Sequence, residues 1–121
     1  MKRILIVEDK ATSRELLRTV LEKLGYVVVE AQDGGEALQK LHETPPDLVL
    51  LDLQIPIHNG FEVLREIRSD NRLASIPVVA LTANAMQGDR EKALAAGFTG
   101  YLAKPVGLSQ LRDEVNRLMG N

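Results

Sequence analysis

The sequence predicts an α/β fold in which a five-stranded parallel sheet is covered by helices on both faces. Short apolar runs alternate with amphipathic segments along the chain, which is the pattern of repeated strand–helix–strand units. The run at residues 48–51 is continuously apolar, as is typical of a strand buried on both faces. The length of 121 residues and the hydrophobic content of 45% suit one domain spanning residues 1–121.

The first helix is predicted from a capping pattern and an apolar face. Thr12 is followed three positions later by Glu15, the form of a capping box with Thr12 as the N-cap. Gly25 is suited to end the helix, because glycine readily adopts the left-handed conformation found there. The predicted apolar face comprises Leu16, Leu17, Val20, Leu21 and Leu24.

The other elements follow from apolar runs and from the residues that flank them. Strands are predicted at residues 4–7, 26–29, 48–51, 78–81 and 100–103. Asp33, with Glu36 three positions on, predicts the start of a second helix that ends before Pro45-Pro46. The remaining helices are marked by Phe61, Val63, Leu64 and Ile67, by a segment from Met86 or Asp89 to Ala96 before Gly97, and by Leu108, Leu111, Val115 and Leu118.

Composition excludes several classes of protein. A net charge of -2 argues against nucleic acid as a direct partner, because phosphate binding needs a basic surface. The absence of cysteine excludes disulfides and thiolate chemistry, and it agrees with a reducing compartment. No apolar run approaches the roughly 20 residues of a membrane helix, and Glu8 and Asp9 interrupt the first run too early for a signal peptide. We therefore expect a cytoplasmic protein without a membrane partner.

Polar side chains follow four of the five predicted strands. Glu8 and Asp9 follow the first, Asp52 the third, Thr82 the fourth and Lys104 the fifth. Because parallel strands end at one edge of the sheet, these groups converge, and two like charges about 4 Å apart repel by roughly 4 kcal/mol at an effective dielectric near 20. A hard divalent cation such as Mg²⁺ would offset that repulsion. Asp52 is then a candidate nucleophile for phosphoryl transfer, with Lys104 and Thr82 contacting the anion.

Each of these residues also has an ordinary structural interpretation. Glu8-Asp9 could be a loop cap, Thr82 a strand-end hydroxyl, Tyr101 a half-buried strand residue and Lys104 a solvated side chain. The joint arrival of Glu8-Asp9, Thr82 and Lys104 at one edge favours the functional interpretation of these residues, whereas the structural interpretation of Tyr101, within the fifth strand, stays open. The two histidines, His42 and His58, are predicted to be surface residues, because without cysteine they make a poor zinc site.

The chain resembles the receiver domain of bacterial two-component response regulators over essentially its whole length. The motifs that carry the resemblance are Glu8-Asp9, Asp52, Pro56 with Gly60, Thr82-Ala83 and Lys104-Pro105, each after its strand. The resemblance implies a flavodoxin-like (βα)₅ doubly wound fold. It extends both to free-standing receivers of the chemotaxis-regulator kind and to receivers of hybrid kinases, and the start at Met1 favours a free-standing chain.

The resemblance also implies roles for individual residues. Asp52 would accept a phosphoryl group from a sensor histidine kinase or a histidine phosphotransfer protein. Asp9, Asp52 and the Gln54 carbonyl would bind Mg²⁺, with Glu8 acting directly or through water. The phosphoryl oxygens would be contacted by Thr82, Ala83 and Lys104, Tyr101 would be an aromatic switch that moves with Thr82, and the Lys104-Pro105 bond would be cis.

Some positions depart from the family pattern, and the sequence also allows functions other than signalling to be compared with it. The family usually has Met where this chain has Ile55, and Gln54 and Asn84 occupy variable positions that influence the lifetime of the phosphorylated state. An aspartyl phosphatase would carry an acid at position 54, so we expect a signalling switch and not a turnover enzyme. A flavodoxin-like cofactor binder lacks support, because Glu8-Asp9 would repel a phosphate. A receiver-shaped module that is never phosphorylated is the remaining alternative, and the downstream target is unidentified.

Overall fold

The chain folds into alternating strands and helices in the order that the sequence predicts. The structure is a computed structural model that describes residues 2–57, 59–83 and 88–120. Met86, one of the two predicted starts of the fourth helix, lies outside these residues, as do Asn84 and His58. The elements are β1 (Arg3–Val7), α1 (Ala11–Lys23), β2 (Val27–Ala31), α2 (Gly34–Glu43), β3 (Leu48–Asp52), α3 (Gly60–Ser69), β4 (Val78–Thr82), α4 (Asp89–Ala96), β5 (Gly100–Ala103) and α5 (Leu108–Met119).

The described strands form a single parallel sheet in the order β2-β1-β3-β4-β5. This topology confirms the predicted doubly wound (βα)₅ fold. Apart from Arg3, every residue of the inner strands β1, β3 and β4 is buried, whereas the edge strands β2 and β5 are partly exposed. β2 starts one residue later than predicted, and Tyr26, which was assigned to it, packs in the core just before it. Since all neighbours run in parallel, all five strands end at the same edge.

Helices cover both faces of the sheet and create two aliphatic cores. The core under α1 and α5 includes Ile6, Leu21, Leu50, Leu111 and Val115. The core under α2, α3 and α4 includes Leu5, Leu41, Leu51, Leu64 and Ile67. Burying a side chain of this size stabilises the fold by about 1.5–3 kcal/mol, so these two layers hold the sheet edge in place. None of the described helices is long and apolar enough to cross a bilayer.

The start of α1 differs from the prediction. The helix begins at Ala11, so its N-cap is Lys10, whose side chain makes no capping hydrogen bond. Thr12 therefore lies inside the first turn, and the predicted capping box is wrong. The helical hydrogen bonding starts at Lys10, because the backbone of this residue is still extended but its carbonyl accepts a hydrogen bond from the Arg14 amide over 3.0 Å.

Two other helices begin with side-chain caps. At α2 the Asp33 carboxylate accepts a hydrogen bond from the Glu36 amide over 2.8 Å, which confirms the predicted cap. At α3 Asn59 and Glu62 form a complete capping box, in which Asn59 Oδ1 accepts from the Glu62 amide over 3.0 Å. The sequence analysis does not predict this cap.

The buried stripes of the first and last helices are narrower than their apolar sequence patterns. Leu17 and Leu21 of α1 are buried, as predicted, but Leu16 of the same predicted face is 56% exposed. On α5, Leu111 is buried and Leu108 is 60% exposed. The sheet contacts only the innermost part of each helix surface, so side chains at the margin of the apolar face remain in solvent.

The two leucines of α1 provide a matched test of this packing. We expect Leu21→Ala to lower the free energy of unfolding by about 2–5 kcal/mol, because it leaves a cavity in a closed core. Leu16→Ala, at the exposed position, should change it by less than about 0.5 kcal/mol. Urea unfolding followed by circular dichroism measures both values, and equal losses would contradict the assigned orientation of α1.

Candidate functional site

The carboxyl edge of the sheet brings together the polar residues that follow the inner strands. The register pairs Val7 of β1 with Leu51 of β3, and Asp52 of β3 with Leu81 of β4. The ends of β1, β3 and β4 are therefore level with one another. Thr82 pairs with Ala103, which directly precedes Lys104. Most of the site residues predicted from the sequence consequently lie along one short line across the sheet.

Three carboxylates form a compact cluster at this edge. Glu8, Asp9 and Asp52 each offer an oxygen, and these oxygens all lie within 4.8 Å of one another. Glu8 is 0% exposed and Asp52 is 4% exposed, while Asp9 faces solvent. Burying ionised carboxylates destabilises the folded state unless a cation or several hydrogen-bond donors offset their charge. The cluster therefore needs positive charge close by.

Lys104 supplies part of that charge from the end of β5. Its ammonium group donates hydrogen bonds to Glu8 Oε1 and to Asp52 Oδ2. Burial alone would lower the pKa of Lys104, but the hydrogen bonds to Asp52 and Glu8 and the charges of both carboxylates outweigh it, and the pKa is raised. The lysine thus stays protonated and bridges the two buried acids. Its peptide bond to Pro105 is cis, as predicted.

The loop after Asp52 orients the second oxygen of that carboxylate. Asp52 Oδ1 accepts a hydrogen bond from the Gln54 amide over 2.8 Å, so both carboxylate oxygens have defined partners. The loop returns to α3 at Gly60, whose amide donates to the Leu53 carbonyl over 3.1 Å. A Cβ at Gly60 would lie 2.7 Å from Leu53 Cα, so only glycine allows this close approach. Gly60, one of the motif residues that carry the family resemblance, is therefore required for steric reasons. The metal-binding role of the Gln54 carbonyl stays a prediction.

Thr82 and Ala83 complete the site at the end of β4. Thr82 is 2% exposed, and its carbonyl accepts a hydrogen bond from the Lys104 amide over 2.8 Å. Ala83 is exposed directly after it. This arrangement places a hydroxyl-bearing residue between the strands that carry Asp52 and Lys104. The predicted contacts of these residues with phosphoryl oxygens remain predictions.

Tyr101 lies on β5, which pairs with β4, the strand that ends at Thr82. Its side chain is half-buried against the core under α2, α3 and α4. Burial raises the pKa of its hydroxyl, and the carboxylates of Asp89 and Glu91 raise it further. The phenol therefore stays neutral beside the start of α4. Its switching role stays a prediction.

The donor set suits a hard divalent cation. All available ligand atoms in the cluster are carboxylate oxygens, two of them buried and one on the solvent side. Mg²⁺ is typically held by one or two carboxylates, with water and phosphate oxygens as the other ligands. An exposed Asp9 beside two buried acids leaves room for such ligands. The residues present therefore fit the predicted metal.

The structure places His42 on the surface and Ile55 in the core. His42 is exposed, and its Nε2 lies 3.1 Å from an Asp70 carboxylate oxygen, far from the carboxyl edge in the chain. Ile55 is buried and packs in the core under α2, α3 and α4. Ile55 thus fills core space at the position where the family usually has Met.

Arg14 contacts the acidic loop of the site, and the sequence analysis does not predict this contact. Arg14 donates from Nη1 to the backbone carbonyls of Glu8 and Asp9, over 2.8 Å and 3.2 Å. The only sequence signal is an arginine one helical turn after an acidic loop. That signal is weak, because arginines in a first helical turn are usually solvated.

The bridge made by Lys104 leads to a prediction on stability. Lys104→Met would leave Glu8 and Asp52 buried without their cation, and we expect the free energy of unfolding at neutral pH to fall by roughly 3 kcal/mol. The exposed Lys23 offers a matched control, since Lys23→Met should change it by less than about 0.5 kcal/mol. Chemical unfolding in the presence of a metal chelator makes the comparison, and a fully stable Lys104→Met protein would disprove the bridging role.

Comparison with known sequences identifies relatives along nearly the whole chain. The family model of the response regulator receiver domain matches residues 4–116. The polar-differentiation response regulator DivK of Brucella anthropi is 36% identical over 120 residues, which cover 99% of this chain and 98% of that protein. DivK of Brucella ovis shows the same identity and coverage.

Solved structures agree with the sequence relatives. A response regulator from Chloroflexus aurantiacus superposes with a TM-score of 0.94 at 31% identity, covering 99% of this chain and 98% of that one. The receiver domain of a sensor histidine kinase from Pseudomonas aeruginosa, solved with a magnesium ion coordinated in its active-site cleft, gives a TM-score of 0.90 at 38% identity and the same coverage. The chain belongs to the response regulator receiver domain family of two-component phosphorelay systems.

Proposed function

We propose that Asp52 is the residue that accepts the phosphoryl group. The observation that carries this proposal is the setting of its carboxylate, which is almost completely buried and has one oxygen on the Gln54 amide and the other on Lys104. In the transfer, a bond forms between an Asp52 oxygen and phosphorus while the phosphorus–nitrogen bond of a phosphohistidine breaks. The histidine nitrogen keeps the electron pair of the broken bond, and Asp52 becomes an acyl phosphate.

The carboxylate cluster is the proposed magnesium site. Glu8, Asp9 and Asp52, with the carbonyl of Gln54, would hold Mg²⁺, and the ion would neutralise charge on the transferring group. The magnesium ion in the related receiver domain from Pseudomonas aeruginosa supports this assignment. Asp9 matters because it is the exposed member of the cluster and lies where an ion would enter.

Lys104, Thr82 and Ala83 form the proposed phosphoryl-binding side. Lys104 already contacts Asp52 Oδ2, so it needs only a small movement to contact an oxygen of a phosphoryl group attached there. Its protonated state makes that contact a charge-assisted hydrogen bond. The Thr82 hydroxyl and the Ala83 amide would donate to other oxygens of the same group. Fixed donors of this kind stabilise the charge that develops in phosphoryl transfer.

On this proposal the protein acts as a switch and not as a turnover phosphatase: water later hydrolyses the acyl phosphate, which restores the Asp52 carboxylate and releases inorganic phosphate. Position 54 carries Gln, whose side chain is exposed and has no acidic proton to give to a leaving group. The partners are a sensor histidine kinase or a histidine phosphotransfer protein, followed by a downstream protein target. The cytoplasm is the proposed location, in keeping with the cysteine-free composition.

The proposed readout face consists of α4, β5 and α5. In α4 the buried residue is Ala93, and an alanine interface resists displacement weakly. Tyr101 on β5 is held by partial burial beside the acidic start of α4. Movement of Thr82 toward a phosphoryl group would alter the packing of Tyr101 and, with it, the position of α4. Such a change shifts an equilibrium between two arrangements instead of creating a new one.

The phosphorylation site is tested with a small phosphoryl donor. We expect acetyl phosphate with Mg²⁺ to add one phosphoryl group, seen as a single step in intact mass. Asp52→Asn should abolish the gain, and so should a chelator, because the nucleophile or the metal is then missing. The exposed Asp113 gives a control, since Asp113→Asn should still be phosphorylated.

The outcome that would contradict the proposed acceptor is a gain of mass in the folded Asp52→Asn protein equal to that of the wild type. A gain that persists in the chelator would contradict the magnesium requirement alone. If a folded wild-type protein gains no mass from acetyl phosphate and none from a phosphohistidine protein, the phosphoacceptor function itself is contradicted.

The readout face is tested by hydrogen exchange. We expect beryllofluoride with Mg²⁺, which forms a phosphoryl-like adduct on a carboxylate, to change amide exchange in α4 and β5 by several-fold. Amide exchange in α2, which follows the edge strand β2 at the opposite end of the sheet from β5, should change little. An unchanged pattern in α4, β5 and α5 in a protein that binds beryllofluoride would disprove the readout assignment.

A further inference from the structure

Arg14 connects α1 to the loop that carries two of the three clustered acids. Its Nη1 donates to the Glu8 carbonyl over 2.8 Å and to the Asp9 carbonyl over 3.2 Å. The arginine side chain is only 13% exposed, so it is held in one place and does not move freely in solvent. A single guanidinium group therefore fixes the peptide carbonyls of two successive residues whose side chains belong to the carboxylate cluster.

Glu30 on β2 orients that guanidinium group. Arg14 Nε lies 3.3 Å from Glu30 Oε1, and Arg18 Nη1 bonds the other oxygen of the same carboxylate. Hydrogen bonds to Glu30 and Glu22 raise the pKa of Arg18, so Arg18 keeps its charge. Two arginines on one helix thus share one carboxylate, but of the two only Arg14 has a hydrogen bond to the acidic loop.

Arg14 and Lys104 contact different atoms of the acidic residues. Lys104 contacts carboxylate oxygens, which are the atoms that a metal ion needs, whereas Arg14 contacts the backbone carbonyl oxygens of Glu8 and Asp9. The charge of Arg14 is balanced by Glu30, so its repulsion of a cation in the cluster is reduced. Its contribution is then the fixed direction of the Glu8 and Asp9 side chains, which preorganises the ligands before a metal binds.

We propose that Arg14 is a positioning residue that sets the magnesium affinity of the Glu8-Asp9-Asp52 cluster through the carbonyls of Glu8 and Asp9. The inference rests on the proposed magnesium-dependent phosphorylation of Asp52 and assigns a residue that acts on the metal ligands without being one of them. Losing a hydrogen-bond partner that orients metal ligands typically weakens metal binding by about 10–100-fold. The phosphorylation rate at saturating Mg²⁺ should be nearly unchanged, because Asp52 and Lys104 are untouched.

The test measures magnesium binding directly. The dissociation constant for Mg²⁺ is obtained by titration followed by the amide NMR signals of the acidic loop, in wild type, Arg14→Met and Arg18→Met. We expect Arg14→Met to raise the constant at least tenfold, and Arg18→Met, which removes the other partner of Glu30, to change it less than threefold. Arg14→Lys should recover little, since one ammonium group cannot reach both carbonyls and Glu30 together.

A second measurement separates positioning from general damage. The rate of phosphorylation by acetyl phosphate is recorded against Mg²⁺ concentration, and Arg14→Met should shift the half-saturating concentration while leaving the maximal rate within about threefold of wild type. If Arg14→Met fails to fold, Glu30→Gln takes its place, with the same direction of change expected. Unchanged or tighter Mg²⁺ binding in the folded variant overturns the inference. A wild-type protein that binds no Mg²⁺ overturns the proposed metal site, and this inference with it.

Discussion

The repulsion among three carboxylates at one edge of the sheet is the constraint on which the site depends. The oxygens of Glu8, Asp9 and Asp52 lie within 4.8 Å of one another, and two of these side chains are buried. At an effective dielectric near 20, each pair at about 4 Å repels by roughly 4 kcal/mol. Lys104 bridges the two buried acids and offsets part of this repulsion. The exposed Asp9 lies beside them, and this arrangement suits the proposed binding of a divalent cation.

The fold serves mainly to hold this unfavourable arrangement in place. Buried inner strands with a level register bring the ends of β1, β3 and β4 together, and aliphatic layers on both faces supply the stability. Close backbone packing at Gly60 and the hydrogen bond from the Gln54 amide then fix the direction of Asp52. The regions that are packed less tightly, above all α4 with Ala93 as its buried residue, are those proposed to respond when the charge at Asp52 changes.

The sequence predicts the strand order along the chain and the convergence of the site residues, because both depend on periodic patterns and on the parallel rule for strand ends. It mispredicts the cap at Thr12, since a capping box is a local pattern that does not show where the backbone enters the helix. It overestimates the burial of Leu16 and Leu108, because the width of a buried helix stripe depends on the neighbouring element. The contact of Arg14 with the acidic loop requires three-dimensional coordinates, as it is made to backbone oxygens that no residue pattern encodes.

The most direct test of this account is the effect of Mg²⁺ on the stability of wild type and of Asp9→Asn. The account predicts that Mg²⁺ at about 100 times its dissociation constant stabilises the wild type by about 2.7 kcal/mol. In a chelator, Asp9→Asn should be at least as stable as wild type, because one repelling charge is gone, and Mg²⁺ should stabilise it far less. Equal stabilisation of both proteins by Mg²⁺, or none in either, would contradict the claim that the three carboxylates form the metal site.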